Sequence, residues 1–249
     1  MRSLIFAKRN LKEIIRDPLS LFFYFAFPVI LMLIFQIIIG GIGITDFDVV
    51  PQFKIENLTL SIAVFSFSFL TLFSLVISKD RETSFQARLR SSPMRPTDFL
   101  IGYSLPLFPI AFAQIVIVVA LGFIFGLTFS WNLLLAILGL IPAILLFLGL
   151  GILIGAGLKG GAASGVSSLV INIAVLLSGM FFPLANMTGA FVTVMDILPF
   201  APALKIASSL LAGNYADIWV PLATVMAYVV VIFALAIWVF YRKMKSDAR

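Results

Sequence analysis

Few side chains in this 249-residue sequence are equipped for chemistry. There is no cysteine and no histidine. Disulfides, Cys/His zinc sites, haem-ligating histidines and serine– or cysteine–histidine nucleophiles are therefore excluded. Gly155-Ala156-Gly157-Leu158-Lys159-Gly160 matches G-x-G-x-x-G, the spacing that lets a backbone approach a pyrophosphate. It follows an apolar helical run rather than a strand, and no acidic residue stands about 20 positions on to hold a ribose, so a nucleotide site is not expected there. No G-x-x-x-x-G-K-[ST] occurs, so the chain has no Walker-type loop for ATP phosphates. No cofactor or metal is expected in this chain. The pairs Gly122/Gly126, Gly151/Gly155, Gly157/Gly161 and Gly161/Gly165 repeat at four residues, the spacing that lets membrane helices approach closely.

Inside the long apolar runs the polar candidates are Gln36, Gln114, Asn172 and a stripe of Ser61, Ser68, Thr71 and Ser78. At helical periodicity the stripe falls on one side. It either lines a translocation route, together with Gln36, Gln114 and Asn172, or hydrogen-bonds between helices. Ion-driven transporters place ionisable groups at membrane depth, because a charge there is both costly and useful. These runs contain none, so energy for uphill transport must come from a partner.

The polar loop 80–97 is the second candidate. It is longer than the 2–8 residues typical of a helix–helix connection. Phe85 and Leu89 sit at i, i+4 on a short helix ended by Pro93, rimmed by Arg81, Glu82, Arg88 and Arg90. An apolar face with a charged rim suits docking of a soluble protein.

These residues must be held by membrane helices. The chain is 62% hydrophobic and 11% charged, against roughly 45–50% and about 25% in soluble domains. Its mean hydropathy is +1.17. A single all-α transmembrane domain over 1–249 is expected, and soluble enzyme folds are excluded. A spanning helix needs about 20 apolar residues. Charge-free runs then give six spans near 19–44, 57–78, 99–127, 133–157, 166–185 and 219–241. The third and fourth are divided at Thr128-Phe129-Ser130-Trp131-Asn132.

With the N-terminus in the cytoplasm, alternation leaves only Lys54 and Lys205 outside among 17 basic residues. Both termini are therefore expected to be cytoplasmic. The net charge of +6 then faces cytoplasm and anionic lipid rather than nucleic acid. The first charge-free run is too long for a signal-peptide core. Residues 2–16 before it read as an amphipathic interfacial helix, with Leu4, Leu11, Ile14 and Ile15 opposite Arg2, Lys8, Arg9, Lys12 and Arg16. Residues 184–213, broken by Pro199, Pro202 and Gly213, are too polar to span and too apolar for a free loop. A re-entrant helical hairpin on the outer side fits them.

Four features in order resemble the membrane subunit of ATP-binding-cassette exporters of the second type. They are Arg9-Asn10-Leu11-Lys12-Glu13 with Arg16-Asp17-Pro18-Leu19, Arg81-Glu82 with Leu89-Arg90-Ser91-Ser92-Pro93, Ser178-Gly179 with Phe182-Pro183, and Pro199, Pro202 and Gly213. The family's usual Gly-Thr pair is Thr83-Ser84 here. The resemblance implies a non-catalytic permease subunit in the plasma membrane of a prokaryote, working as two copies (a homodimer) with a pair of ATPase subunits that bind ATP and magnesium. It implies a connecting helix at 2–16, a coupling helix at 81–93 and re-entrant outer helices at 184–213. The chain lacks the aromatic-rich, Gly-Trp-containing entry of the polysaccharide branch, which points to a drug, lipid or other amphiphile as cargo. The competing reading is an ATP-independent channel or assembly factor. An intramembrane enzyme has almost no acid–base candidates here.

Overall fold

The computed structural model describes residues 2–42, 51–82, 96–180 and 189–246, and among them there is helix and no strand. The positions Phe85, Arg88, Leu89 and Arg90, and the first residues of the expected re-entrant region, lie outside the described residues. Among the described residues six helices are long and apolar enough to cross a membrane. After α1 (Arg2–Arg16), these are α2 (Pro18–Gly41), α3 (Ile55–Glu82), α4 (Asp98–Ile124), α5 (Trp131–Gly157) and α6 (Gly160–Leu177), and, after two short helices, α9 (Tyr215–Arg242). The short pair is α7 (Ala190–Ile197) and α8 (Phe200–Ala212), bent by 81° at Leu198-Pro199.

Local chemistry sets the boundaries. Asp17 caps α2 by accepting from the Leu19 and Ser20 amides, with Pro18 at the first turn. Ser130 caps α5 through the Leu133 amide. The α4–α5 turn needs Gly126 at φ 100°, and α8 ends on Gly213 at φ 78°, both left-handed positions where a Cβ is penalised. The fifth spanning helix begins at Gly160, ahead of the expected 166, and ends at Leu177. Glycines 160, 161 and 165 weaken a helix in water, but in a membrane the backbone has no other partner, so the helix forms through them.

α3 is the axis of the bundle, with 83% of its most apolar stretch buried, against 17% for α6. α5 packs along α9 and against the second half of α3, while α8 packs on the start of α5. Midway, α3 tightens into a 3-10 turn over Phe69–Phe73. There Ser68 and Thr71 donate to the carbonyls three residues back, at 2.6 Å each. Glycine spacing explains how closely α5 approaches. A Cβ on Gly151 would meet Leu70 O at 3.0 Å, and one on Gly155 would meet Ile77 Cβ at 2.7 Å. Of the other pairs, Gly122 is also crowded by α3, a Cβ there falling 2.8 Å from Thr59 Oγ1. Gly126 turns the chain, and a Cβ on Gly161 or Gly165 would meet nothing within 4 Å.

α1 divides its apolar residues between the protein and its surroundings. Phe6, Ala7, Asn10 and Ile14 are buried against the protein, whereas Leu4, Ile5 and Ile15 are exposed. Tertiary packing buries Ile14, which helical periodicity groups with the exposed Leu4 and Ile15.

Candidate functional site

At one end of the bundle α3 finishes with four consecutive charged residues, Lys79 to Glu82, and each of the last three engages a different neighbour. The Asp80 side chain, 4% exposed, accepts both guanidinium nitrogens of Arg9 at 2.7 Å and the Tyr103 hydroxyl at 3.1 Å. Arg9 also pairs with Glu13 at 2.9 Å, one turn along α1. Burial alone lowers the Arg9 pKa. The hydrogen bond and charge of Asp80 outweigh it, with smaller help from Glu13 and Tyr103, and hold the guanidinium above its ordinary value. Arg9 is therefore a fixed cation at any working pH.

Arg81 donates to the carbonyls of Gly155 at 2.8 Å and Leu158 at 3.3 Å, where α5 ends. Glu82 accepts the Gly160 amide at 2.9 Å, where α6 begins. A cation on the carbonyl end of one helix and an anion on the amide end of the next both complement the helix dipoles. Asp80, Arg81 and Glu82 thus tie the end of α3 to α1 and α4, to α5, and to α6.

Neighbouring contacts fix the same joint. Asn10, fully buried, donates to Gly102 O at 3.0 Å. The Phe6 ring meets Tyr103 edge-on at 4.8 Å. Glycine at 102 makes room for that ring, because a Cβ there would fall 2.3 Å from Phe6 Cδ1 and the ring would have to shift. Further along, Ser167 on α6 meets the Ser74 hydroxyl at 2.7 Å and donates to Thr71 O at 3.0 Å. That carbonyl belongs to the 3-10 turn, so α6 satisfies a backbone group of α3.

The residues singled out from the sequence are placed apart from one another. Ser61, Ser68, Thr71 and Ser78 are all buried inside this chain. Gln114 is fully buried and donates to Tyr24 O at 3.1 Å and Ser66 O at 3.0 Å. Gln36 is half-buried on α2, and Asn172 is exposed on α6, donating back to Ser168 O at 2.8 Å. Of the six docking candidates, Arg81 and Glu82 have the partners described above inside this chain. Arg9, Asn10, Asp80, Tyr103 and Ser167 were not singled out as site residues from the sequence. Their partners lie on other helices, and the only available signal is a string of charges at the end of an apolar run.

The joint has no nucleophile–base pair, and no cluster among the described residues offers three acidic ligands to a metal. Its chemistry is mechanical: rigid helices joined at one end by charge-assisted hydrogen bonds. No curated protein matches the chain. The family model described as ABC-2 type transporter matches residues 3–212, most of its length.

Proposed function

The chain belongs to the ABC-2 type transporter family, and from that premise we propose that it is the permease subunit of an exporter driven by a separate ATPase. Membership makes it a multi-pass membrane protein and the membrane domain of an ABC transporter. On our reading, two copies assemble with two ATPase subunits in a prokaryotic plasma membrane. The ATPase holds ATP and magnesium, and the cargo is a drug, lipid or other amphiphile leaving the cytoplasm or inner leaflet. The distribution of basic residues supports cytoplasmic termini. α1 is the connecting helix in the membrane interface, and its exposed Leu4, Ile5 and Ile15 suit the acyl boundary. The 81° bend between α7 and α8 suits a re-entrant outer hairpin.

The observation that carries the reading is the Asp80-Arg81-Glu82 joint. It lies where the chain enters the loop 80–97, which we assign as the surface for the ATPase, with Phe85 and Leu89 as its apolar anchors. A push on that loop reaches α1, α4, α5 and α6 through one short stretch of α3. Arg81 and Glu82 act there as positioning residues within the permease, and Arg88 and Arg90 flank the docking contact. The second copy is supported by α6. Gly161, Gly165, Ser168 and Asn172 form an exposed stripe along it, small and polar where lipid would favour large and apolar. We assign the cargo route to that face, with Asn172 beside it. The buried serines and Thr71 of α3 serve helix packing.

Reconstitution tests this. Export from proteoliposomes should require ATP and stop when the Walker lysine of the partner ATPase is replaced. Export that persists on an ion gradient with ATP depleted would contradict the reading, and copurification without any ATPase would favour a channel or assembly factor.

A further inference from the structure

Beside the joint, between α1, the start of α2 and the end of α3, lies a cavity of about 980 Å³. Its floor is apolar, built from Ile14, Pro18, Leu75 and Val76. Five cations also line it: Arg9, already held by Asp80 and Glu13, then Lys8, Lys12 and Arg16, which follow one another at i, i+4 and i+8 along one side of α1, and Lys79 facing them from α3. Lys8, Lys12, Arg16 and Lys79 are exposed and make no ion pair or side-chain hydrogen bond among the described residues.

Two acids share the lining, and both are engaged elsewhere. Glu13 pairs with Arg9 at 2.9 Å, and Arg9 is itself held by Asp80. Asp17 accepts the Leu19 and Ser20 amides at 3.3 and 3.2 Å, at the positive end of α2. The cavity thus combines apolar walls with uncompensated positive charge at the membrane end of the bundle. The volume is at the upper end of ordinary ligand sites, roughly 300–1,000 Å³.

We propose that this cavity binds one anionic phospholipid of the cytoplasmic leaflet, its phosphate held by Lys12, Arg16 and Lys79 and its acyl stem laid along Leu75 and Val76. Lysine and arginine nitrogens form short, charge-assisted hydrogen bonds to phosphate oxygens, and that leaflet is the anionic one. Free inorganic phosphate shares the headgroup chemistry, but it would leave the apolar floor against water. A lipid satisfies both parts of the cavity. Held there, it would brace α1 against α3 at the same end as the joint. The leaflet assignment rests on the proposed orientation of the chain, whereas the binding test below requires neither that orientation nor an ATPase.

The test is thermal unfolding of the purified chain in a neutral maltoside detergent, titrated separately with dioleoylphosphatidylglycerol, dioleoylphosphatidylcholine and inorganic phosphate. The expected result is a saturable rise in melting temperature with phosphatidylglycerol alone. The double variant Lys12→Gln, Lys79→Gln should raise the half-saturating concentration roughly thirty-fold, two surface cations being removed from an anionic ligand. Lys159→Gln, an exposed lysine at the same end but outside the cavity, should titrate as the wild type. Equal responses to both lipids, or a response to inorganic phosphate matching that to phosphatidylglycerol, would overturn the proposal. So would a double variant that binds like the wild type, or a Lys159→Gln variant weakened as much as the double. Such a failure alongside intact ATP-driven export would leave the exporter reading standing. Intact lipid binding without ATP-driven export would remove only that reading.

Discussion

Replacing Gly155 and Gly165 in turn by alanine makes the same chemical change at two sites on spanning helices, with opposite expected outcomes. At Gly155 the new Cβ would lie 2.7 Å from Ile77 Cβ, 2.9 Å from Ser74 O and 3.0 Å from Ser74 Cα. Two of these atoms are backbone and the third is the root of a β-branched side chain, so no rotamer change relieves the contact. α5 must move away from α3 by several tenths of an ångström. Overpacking of this kind costs about 1–3 kcal/mol, of which alanine's better helix propensity returns at most about 1 kcal/mol. The movement also draws Gly155 O away from Arg81, now 2.8 Å apart. At Gly165 nothing lies within 4 Å, so alanine should leave the isolated chain unchanged or up to about 1 kcal/mol more stable. With roughly 2–4 °C per kcal/mol for a domain of this size, Gly155→Ala should melt a few degrees below wild type and Gly165→Ala at or above it. Intrinsic fluorescence of the three tryptophans in detergent follows both. Equal melting temperatures for the two variants would refute the close approach of α5 to α3.

Arg9→Ala strips the buried Asp80 carboxylate of its guanidinium while Tyr103 still donates to it, and after discounting for the partial exposure of Arg9 should cost about 2–3 kcal/mol. Glu13→Ala should cost no more than about 0.5 kcal/mol, because that i, i+4 pair is solvated, and chemical denaturation of both variants measures the difference. Phe85→Ala with Leu89→Ala should weaken copurification of the ATPase tens-fold or more, each buried side chain being worth roughly 1.5–3 kcal/mol. Arg88→Gln or Arg90→Gln should weaken it less, and less still in high salt. Because the sequence has no cysteine, single cysteines report topology directly. Those placed within 84–92 should be protected from an impermeant reagent added outside, and those at Asp48 or Asp217 should react.

The all-helical architecture is legible in the sequence because a membrane removes most alternatives: apolar runs bracketed by charges can only become helices. Six such runs and six long apolar helices agree. What the runs do not encode is which side of a helix meets protein. Ile14 groups with Leu4 and Ile15 by periodicity, yet it is buried while they are exposed, and the contact with α4 is made by Phe6 and Asn10. Four-residue glycine spacing likewise fits Gly155, which is crowded by α3, and Gly161, which faces open space. The joint was legible only as a string of charges. Asp80 meets Arg9 across 71 positions and Arg81 meets Gly155 across 74. Pairings at that separation exist only once α3 sits in the middle of the bundle.

On the proposed function, Arg81 and Glu82 carry a partner's stroke from the loop into α5 and α6. The variant Arg81→Met, Glu82→Gln removes both ties while keeping side-chain length. In proteoliposomes with the partner ATPase, cargo exported per ATP hydrolysed should fall by more than ten-fold while copurification and hydrolysis continue. Unchanged export per ATP, or loss of the ATPase from the complex, would contradict it.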